Sequence, residues 1–196
     1  MPVYLFTYHA YQSWMPDHRR GYTRRGKGYQ PADPEKARQY RESATSKPVE
    51  FDRDTQRSLI EELLTACRFQ KLRCHAGSTE PSHIHGLVSW QGFRPWERVR
   101  ASLKSSLSRR LSRMNDEFEE LVESLDVSKP LDSIPDSRDA TRRRSSEEER
   151  GRFVLKLSRG GSRKRVRDKC HFDYLMQTYL AKHKGVKWFE DRGWVD

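Results

Sequence analysis

Residues 72–90 read LRCHAGSTEPSHIHGLVSW. Leu72 to Glu80 and His83 to Trp90 are two strand-like runs, and Pro81-Ser82 between them is a turn signal, so the stretch predicts a β-hairpin. Upstream, Val3 to Tyr8 (VYLFTY) is a continuous apolar and aromatic run, as expected of a strand buried on both faces. Between that run and the hairpin, Asp54 can cap a helix whose apolar positions Leu59, Ile60, Leu63, Leu64 and Cys67 follow helical spacing and which should end near Gln70. Downstream, Pro95 opens a second helix with Val99, Leu103, Leu107, Leu111, Met114 and Phe118 on one stripe. Phe153 to Leu157 alternates as a last strand, the basic segment Ser158 to Arg167 (SRGGSRKRVR) follows, and a final helix is expected from about Asp168 to Lys184. The order strand, helix, strand, strand, helix, strand predicts an α+β domain: a ferredoxin-like antiparallel sheet with helices on one face, plus an extra C-terminal helix.

The 196 residues suit one domain, 1–196, with two departures. A loop excursion at about 14–50 is rich in Arg, Gly, Pro and Tyr and carries a short helix near Pro34 to Glu42. The segment at about 126–151 (DVSKPLDSIPDSRDATRRRSSEEERG) has almost no apolar residue and is expected to be a disordered insertion. Lys and Arg number 39 against 28 Asp and Glu, a net charge of +11, which favours a polyanionic partner. No apolar run reaches the roughly 20 residues that span a bilayer, so no membrane partner is expected. The start, MPVYLFTYHAY, lacks the basic leader of a signal peptide. Cys67, Cys74 and Cys170 have no paired spacing, and a reducing cytoplasm is the expected setting.

His83-Ile84-His85 is the pattern that points to chemistry. In a strand, positions i and i+2 share a face, so two imidazoles stand side by side, either as a pair on a solvent-facing strand surface or as ligands of one divalent metal. Two ligands do not complete a coordination sphere. Another residue, water or substrate oxygen must supply the rest, and Glu80, three positions earlier, is a candidate if Pro81 turns the chain enough. In the final helix Phe172, Leu175, Met176, Tyr179 and Leu180 form an apolar stripe, which makes Tyr179 most simply structural. At about 100° per residue Tyr174 projects nearly opposite that stripe, either as a reactive group or as an ordinary exposed tyrosine.

These residues together resemble the single-tyrosine HUH transposases, specifically the branch with the REP-associated tyrosine transposases. The resemblance rests on LFTYHAYQSW near the start, EPSHIHGLVSW, WERVRASLKSSLSRRL and FVLKLSRGGSRKRVRDKCHFDYLMQTYL, covering roughly residues 1–115 and 152–190. It implies a metal-dependent single-strand DNA endonuclease and transposase that nicks and rejoins DNA through a 5′-phosphotyrosine, acting at hairpin or repeat ends. It makes His83 and His85 metal ligands, Tyr174 the nucleophile, and Mg²⁺ or Mn²⁺ the cofactor. Many members carry a polar amide four residues after the tyrosine. Here that place is Thr178 and the glutamine is Gln177, one step early, so that either Gln177 is a metal ligand from that position or this ligand is missing. The implied partner is single-stranded or hairpin DNA, bound by a monomer or a homodimer. Its phosphates would meet Arg98, Arg100, Lys104, Arg109 and Arg110 of the second helix and Arg159, Arg163, Lys164 and Arg165 of the basic segment, with Trp14 and Trp96 as candidate stacking platforms.

Three rival readings differ in class. A catalytically inactive, domesticated relative would bind DNA hairpins without cutting, and the displaced Gln177 is its support. An RNA-recognition module shares the sheet but needs stacking aromatics where HIHGLVSW has histidines. A hydrolase of small phosphoesters lacks a further carboxylate or histidine motif to complete its site.

Overall fold

The structure, a computed structural model, describes residues 1–24, 27–44, 46–125, 154–158 and 161–195. The expected insertion at 126–151 and the candidate Arg159 lie outside them. The chain divides into two compact units: Met1–Trp14, Pro48–Ser112 and Leu155–Asp196 form the first, Met15–Lys47 and Arg113–Val154 the second.

The first unit is built on a six-stranded antiparallel sheet. Its strands are β1 (Val3–His9), β4 (Arg73–Glu80), β5 (His83–Ser89), β6 (Ser162–Arg165), β7 (Lys187–Phe189) and β8 (Gly193–Val195), in the order β6-β1-β5-β4-β7-β8. The hairpin at residues 72–90 is β4 and β5, with Glu80 paired to His83 across the turn. β1 lies against β5 in a register that sets Thr7 opposite His85 and His9 opposite His83. Strand alternation then puts Thr7, His9, His83 and His85 on one face and Tyr4, Phe6, Tyr8 and Ile84 on the other.

Helix α2 (Arg53–Phe69) covers the second of these faces. Its N-cap is Asp52, whose carboxylate accepts from the Thr55 amide at 2.8 Å, rather than the expected Asp54, which falls in the first turn. Leu59, Ile60 and Leu63 are fully buried, each worth about 1.5–3 kcal/mol. The close approach depends on the cross-strand pair Gly77 and Gly86: a Cβ on Gly86 would sit 3.1 Å from Leu63 Cδ2. Helix α3 (Trp96–Leu125) lies on the same side, with the Tyr8 hydroxyl donating to Arg100 O at 3.0 Å and Trp96 stacked on Tyr4. Its stripe is buried at Val99, Leu103, Leu107 and Leu111, but Phe118 is exposed. The expected stripe is therefore too long: beyond Ser112 the helix belongs to the second unit.

The opposite face carries Leu5, Ala76, Leu87 and Phe189, packed under Leu175, Met176 and Leu180 of the C-terminal segment. That segment is helix α4 (Lys169–Tyr174), capped by Asp168, continuing as a π-helical turn over Leu175–Tyr179 closed by Leu180 N–H to Leu175 O at 2.9 Å. It is shorter than the helix expected to Lys184, and β7 and β8 occupy a stretch for which no strand is expected. Two strands also differ from expectation at the other edge. Within Phe153 to Leu157, the described residues form only a bridge from Leu157 to Ala10, and the strand that pairs β1 is the basic SRKR of β6. Backbone pairing is indifferent to side-chain polarity at a solvated sheet edge, where Lys and Arg are well tolerated.

In the second unit β2 (Tyr22–Arg24) and β3 (Gly28–Gln30) form a two-stranded ribbon, and α1 (Pro34–Glu42) is capped by Asp33 as the Pro at its first turn suggests.

Candidate metal centre

His83 and His85 stand on the same face of β5, with ring centroids 4.6 Å apart. A third imidazole joins them. His183 lies three residues beyond Leu180, in the segment between the π-helical turn and β7, with its ring 4.8 Å from His85 and 5.4 Å from His83. One ligand atom from each of the three lies within 4.8 Å of the others, so His83, His85 and His183 can hold a metal ion.

Each ring is oriented through Nδ1. Thr7 Oγ1 meets His85 Nδ1 at 2.7 Å, Ser82 Oγ meets His83 Nδ1 at 2.7 Å, and Glu80 Oε1 accepts from His183 Nδ1 at 2.8 Å. With Nδ1–H donating to Thr7 and Glu80, the Nε2 lone pairs of His85 and His183 are left over, and both Nε2 atoms are buried without a hydrogen-bond partner. A buried polar atom of this kind costs free energy unless something meets it, and a carboxylate behind a ligating histidine is the usual way to fix its tautomer and raise its basicity. The donor set therefore fits a divalent ion.

Electrostatics point the same way. Burial takes the His83 imidazole down to about 4, with His9 and His183 adding to the fall and Glu80 opposing it. Burial, followed by the charges His83 and His183 would carry, takes His85 down to about 2. Both rings are neutral at physiological pH, the form that ligates metal. Burial pushes the Glu80 carboxyl up, but its hydrogen bond to His183 and the nearby His183 and His83 outweigh this and leave it below the ordinary carboxylate value.

The segment carrying His183 is held by a buried polar clamp. Gln56 of α2 donates to Phe51 O at 2.7 Å and through Oε1 accepts from the Val186 amide at 3.2 Å, while the Thr79 amide donates to Val186 O at 3.0 Å. Gly185 is what allows the chain so close: a Cβ there would collide with Thr79 O and Gln56 Oε1. Lys187, itself buried, donates to His183 O at 2.9 Å.

The tyrosine beside the triad is Tyr179. Its half-buried ring is 5.4 Å from His85 and 5.5 Å from His183, with the Lys182 ammonium 4.8 Å from its centroid. Burial raises its phenol above the ordinary value, and Tyr174 and Glu80 add to the rise. Tyr174, the expected nucleophile, is 49% exposed at the end of α4. The sequence matches no protein-family model and no curated protein.

The other expected site residues distribute as follows. Glu80 stands behind His183 as its hydrogen-bond acceptor, outside the group of three ligands. Gln177 and Thr178 are exposed and outside that group as well. The place expected for Gln177 is taken by His183. Arg100 donates to Gly161 O at 3.1 Å, Arg109 to Ser105 and Ser106, and Arg110 to Ser58 of α2. With Arg98 and Lys104 these belong to α3, on the sheet side opposite the triad. Arg163, opposite Phe6 in register, turns to that same side and lies 4.1 Å over Trp96, which is thereby covered by Tyr4 and Arg163. Arg165, opposite Tyr4, turns the same way, whereas Lys164, opposite Leu5, faces the triad's side. Trp14 is 6.0 Å from His9, which is in turn 5.6 Å from His83.

His183 had a signal in the sequence. It stands four residues after Tyr179, the spacing at which the resemblance puts a polar ligand after the tyrosine.

Proposed function

We propose that the protein is a metal-dependent single-strand DNA nickase and strand transferase of the HUH type, with Tyr179 as nucleophile and His83, His85 and His183 as metal ligands. The observation that carries this reading is the contact of the Tyr179 ring with His85 and His183, two of three histidines whose ligand atoms lie within 4.8 Å of one another. The strand order β6-β1-β5-β4, with α2 and α3 as the crossovers, supports a ferredoxin-like core, as the resemblance implies.

A bound divalent ion supplies Lewis-acid polarisation of the scissile phosphate. Three imidazole nitrogens with no carboxylate among them suit Mn²⁺ better than the harder Mg²⁺. The chain's own residues do the rest. Glu80, Thr7 and Ser82 hold the imidazoles in the ligating tautomer. Tyr179, like any phenol protonated at neutral pH and made still less acidic by burial, must lose that proton as its oxygen attacks phosphorus. The new Oη–P bond forms as the bond from phosphorus to the 3′-oxygen breaks, and the electron pair leaves on that oxygen. The 3′-oxygen takes up one proton, balancing the one lost by the phenol. The energy of the phosphodiester is kept in the phosphotyrosine, so rejoining needs no nucleotide cofactor.

The displaced Gln177 is the support of the binding-only alternative, and His183 offers a candidate third ligand in its stead. A covalent-adduct assay tests the proposal. Labelled single-stranded hairpin DNA and Mn²⁺ should give a protein-linked band with the wild type and with Tyr174→Phe, and none with Tyr179→Phe, His83→Ala or EDTA. An adduct that survives in Tyr179→Phe but is lost in Tyr174→Phe would reverse the assignment of the nucleophile. Retention of DNA without any adduct would favour the binding-only relative.

A further inference from the structure

A cleft of about 640 Å³ is lined in part by Glu80, the residue that accepts from His183 Nδ1. Its walls include Arg53 at the start of α2, Gln56, Glu80, Lys182, Lys184 and Gly185. We propose that this cleft holds the single strand next to the scissile phosphate, with Arg53, Lys182 and Lys184 neutralising its backbone. The inference rests on the nickase reading above and adds the path of the substrate.

Three observations converge on it. First, the charge is one-sided: three cations face one carboxylate, and that carboxylate is already hydrogen-bonded to His183 Nδ1. Second, the cleft shares two residues with the surroundings of the triad. Glu80 is both its wall and the support of His183, and Lys182 is both its wall and the cation over the Tyr179 ring. A strand whose scissile phosphate meets Tyr179 and the triad therefore has its neighbouring phosphates beside Lys182, and Lys184 and Arg53 continue the same wall. Third, the base of the cleft is rigid. Gln56 is buried and committed to Phe51, Thr79 and Val186, and Gly185 is pressed on Thr79, so the cations project from a framework that does not need to be ordered on binding. The volume lies in the range of about 300–1,000 Å³ typical of ligand pockets, enough for a short piece of one strand and too small for a duplex.

The test uses full-length protein and a short fluorescein-labelled oligodeoxynucleotide of mixed sequence, followed by anisotropy across a salt series with EDTA present. Arg53→Ala and Lys184→Ala should each weaken binding and reduce the slope of log K against log salt by about 0.7, the value for one phosphate contact on a single strand. Lys184→Arg should restore the slope, and Lys71→Ala, outside the cleft, should leave it unchanged. Calorimetric titration of Mn²⁺ should give wild-type affinity for both alanine variants, which shows that the triad has not been disturbed. Wild-type slopes in Arg53→Ala and Lys184→Ala, with adduct formation intact, would overturn the cleft and leave the nickase reading standing. Reduced slopes with no adduct from the wild type would support the cleft as a single-strand site and overturn the nickase reading. Failure of the wild type to bind the oligonucleotide would overturn both.

Discussion

Acid should unfold this protein through its histidines before its carboxylates. In the unfolded chain His83 takes a proton near its ordinary 6.5, whereas in the folded protein burial and the neighbouring His9 and His183 hold it at about 4. A folded value below the unfolded one means that the unfolded chain binds the extra proton first, so stability is at its full level above about pH 6.5 and falls as the pH drops toward 4. With about 1.4 kcal/mol for each pH unit, His83 alone removes about 2 kcal/mol by pH 5 and about 3 kcal/mol by pH 4. His85, held lower still by burial and by its neighbours, acts in the same direction. Urea unfolding followed by tryptophan fluorescence in EDTA, at about pH 7.5 and about pH 5, measures the loss directly. The variant His83→Gln removes this titration, so the wild type should lose about 2 kcal/mol more than the variant over that range. Equal losses in the two proteins would refute the argument that burial holds His83 neutral. The same measurement with Mn²⁺ at the higher pH should show added stability of about 2.7 kcal/mol at 100 times the dissociation constant, fading as protons compete for the imidazoles.

Other consequences concern the supports of the triad. Glu80→Ala removes the acceptor for His183 Nδ1 and should weaken Mn²⁺ binding by about 10–100-fold in a calorimetric titration, with little change in far-UV circular dichroism. An unchanged affinity would mean that Glu80 does not orient the ligand. Gly185→Ala drives a methyl into Thr79 O and Gln56 Oε1 and should cost about 1–3 kcal/mol in urea unfolding, as overpacking usually does. Because the displaced segment carries His183, that variant should also lose metal affinity, and wild-type values for both would show that the clamp is slack.

The hairpin at residues 72–90, the two helices and the strand at Val3 were legible because each is announced locally. A Pro-Ser turn, an apolar stripe at helical spacing and an aromatic run require no partner to be recognised. β6 was not legible. SRKR has no strand pattern, and it becomes a strand only because β1 offers it an unpaired edge. β7 and β8 are three residues each and exist as additions to β4, so nothing in their own composition announces them.

The same division runs through the site. His-x-His in a strand places two imidazoles together whatever the rest of the chain does, since alternation is a property of the extended backbone. Tyr179 was assigned to packing because it lies on the apolar stripe with Leu175, Met176 and Leu180, and that stripe does pack. Helical periodicity says which residues face the body but not which part of the body they meet. Only the tertiary structure shows that the stripe lands on the sheet face that bears His83 and His85, so the residue at its edge is both packed and beside the triad. Tyr174, which lies off that stripe, is exposed at the end of α4. His183 required the fold as well: it is 100 residues from His83 in sequence and is held beside it because Gln56 and Thr79 pin the chain just after it, at Gly185 and Val186. The local sequence determined the His83 and His85 pair and the elements that carry it. The third histidine, its carboxylate partner and which tyrosine lies beside the three were decided by contacts between residues far apart in the chain, which no local spacing encodes.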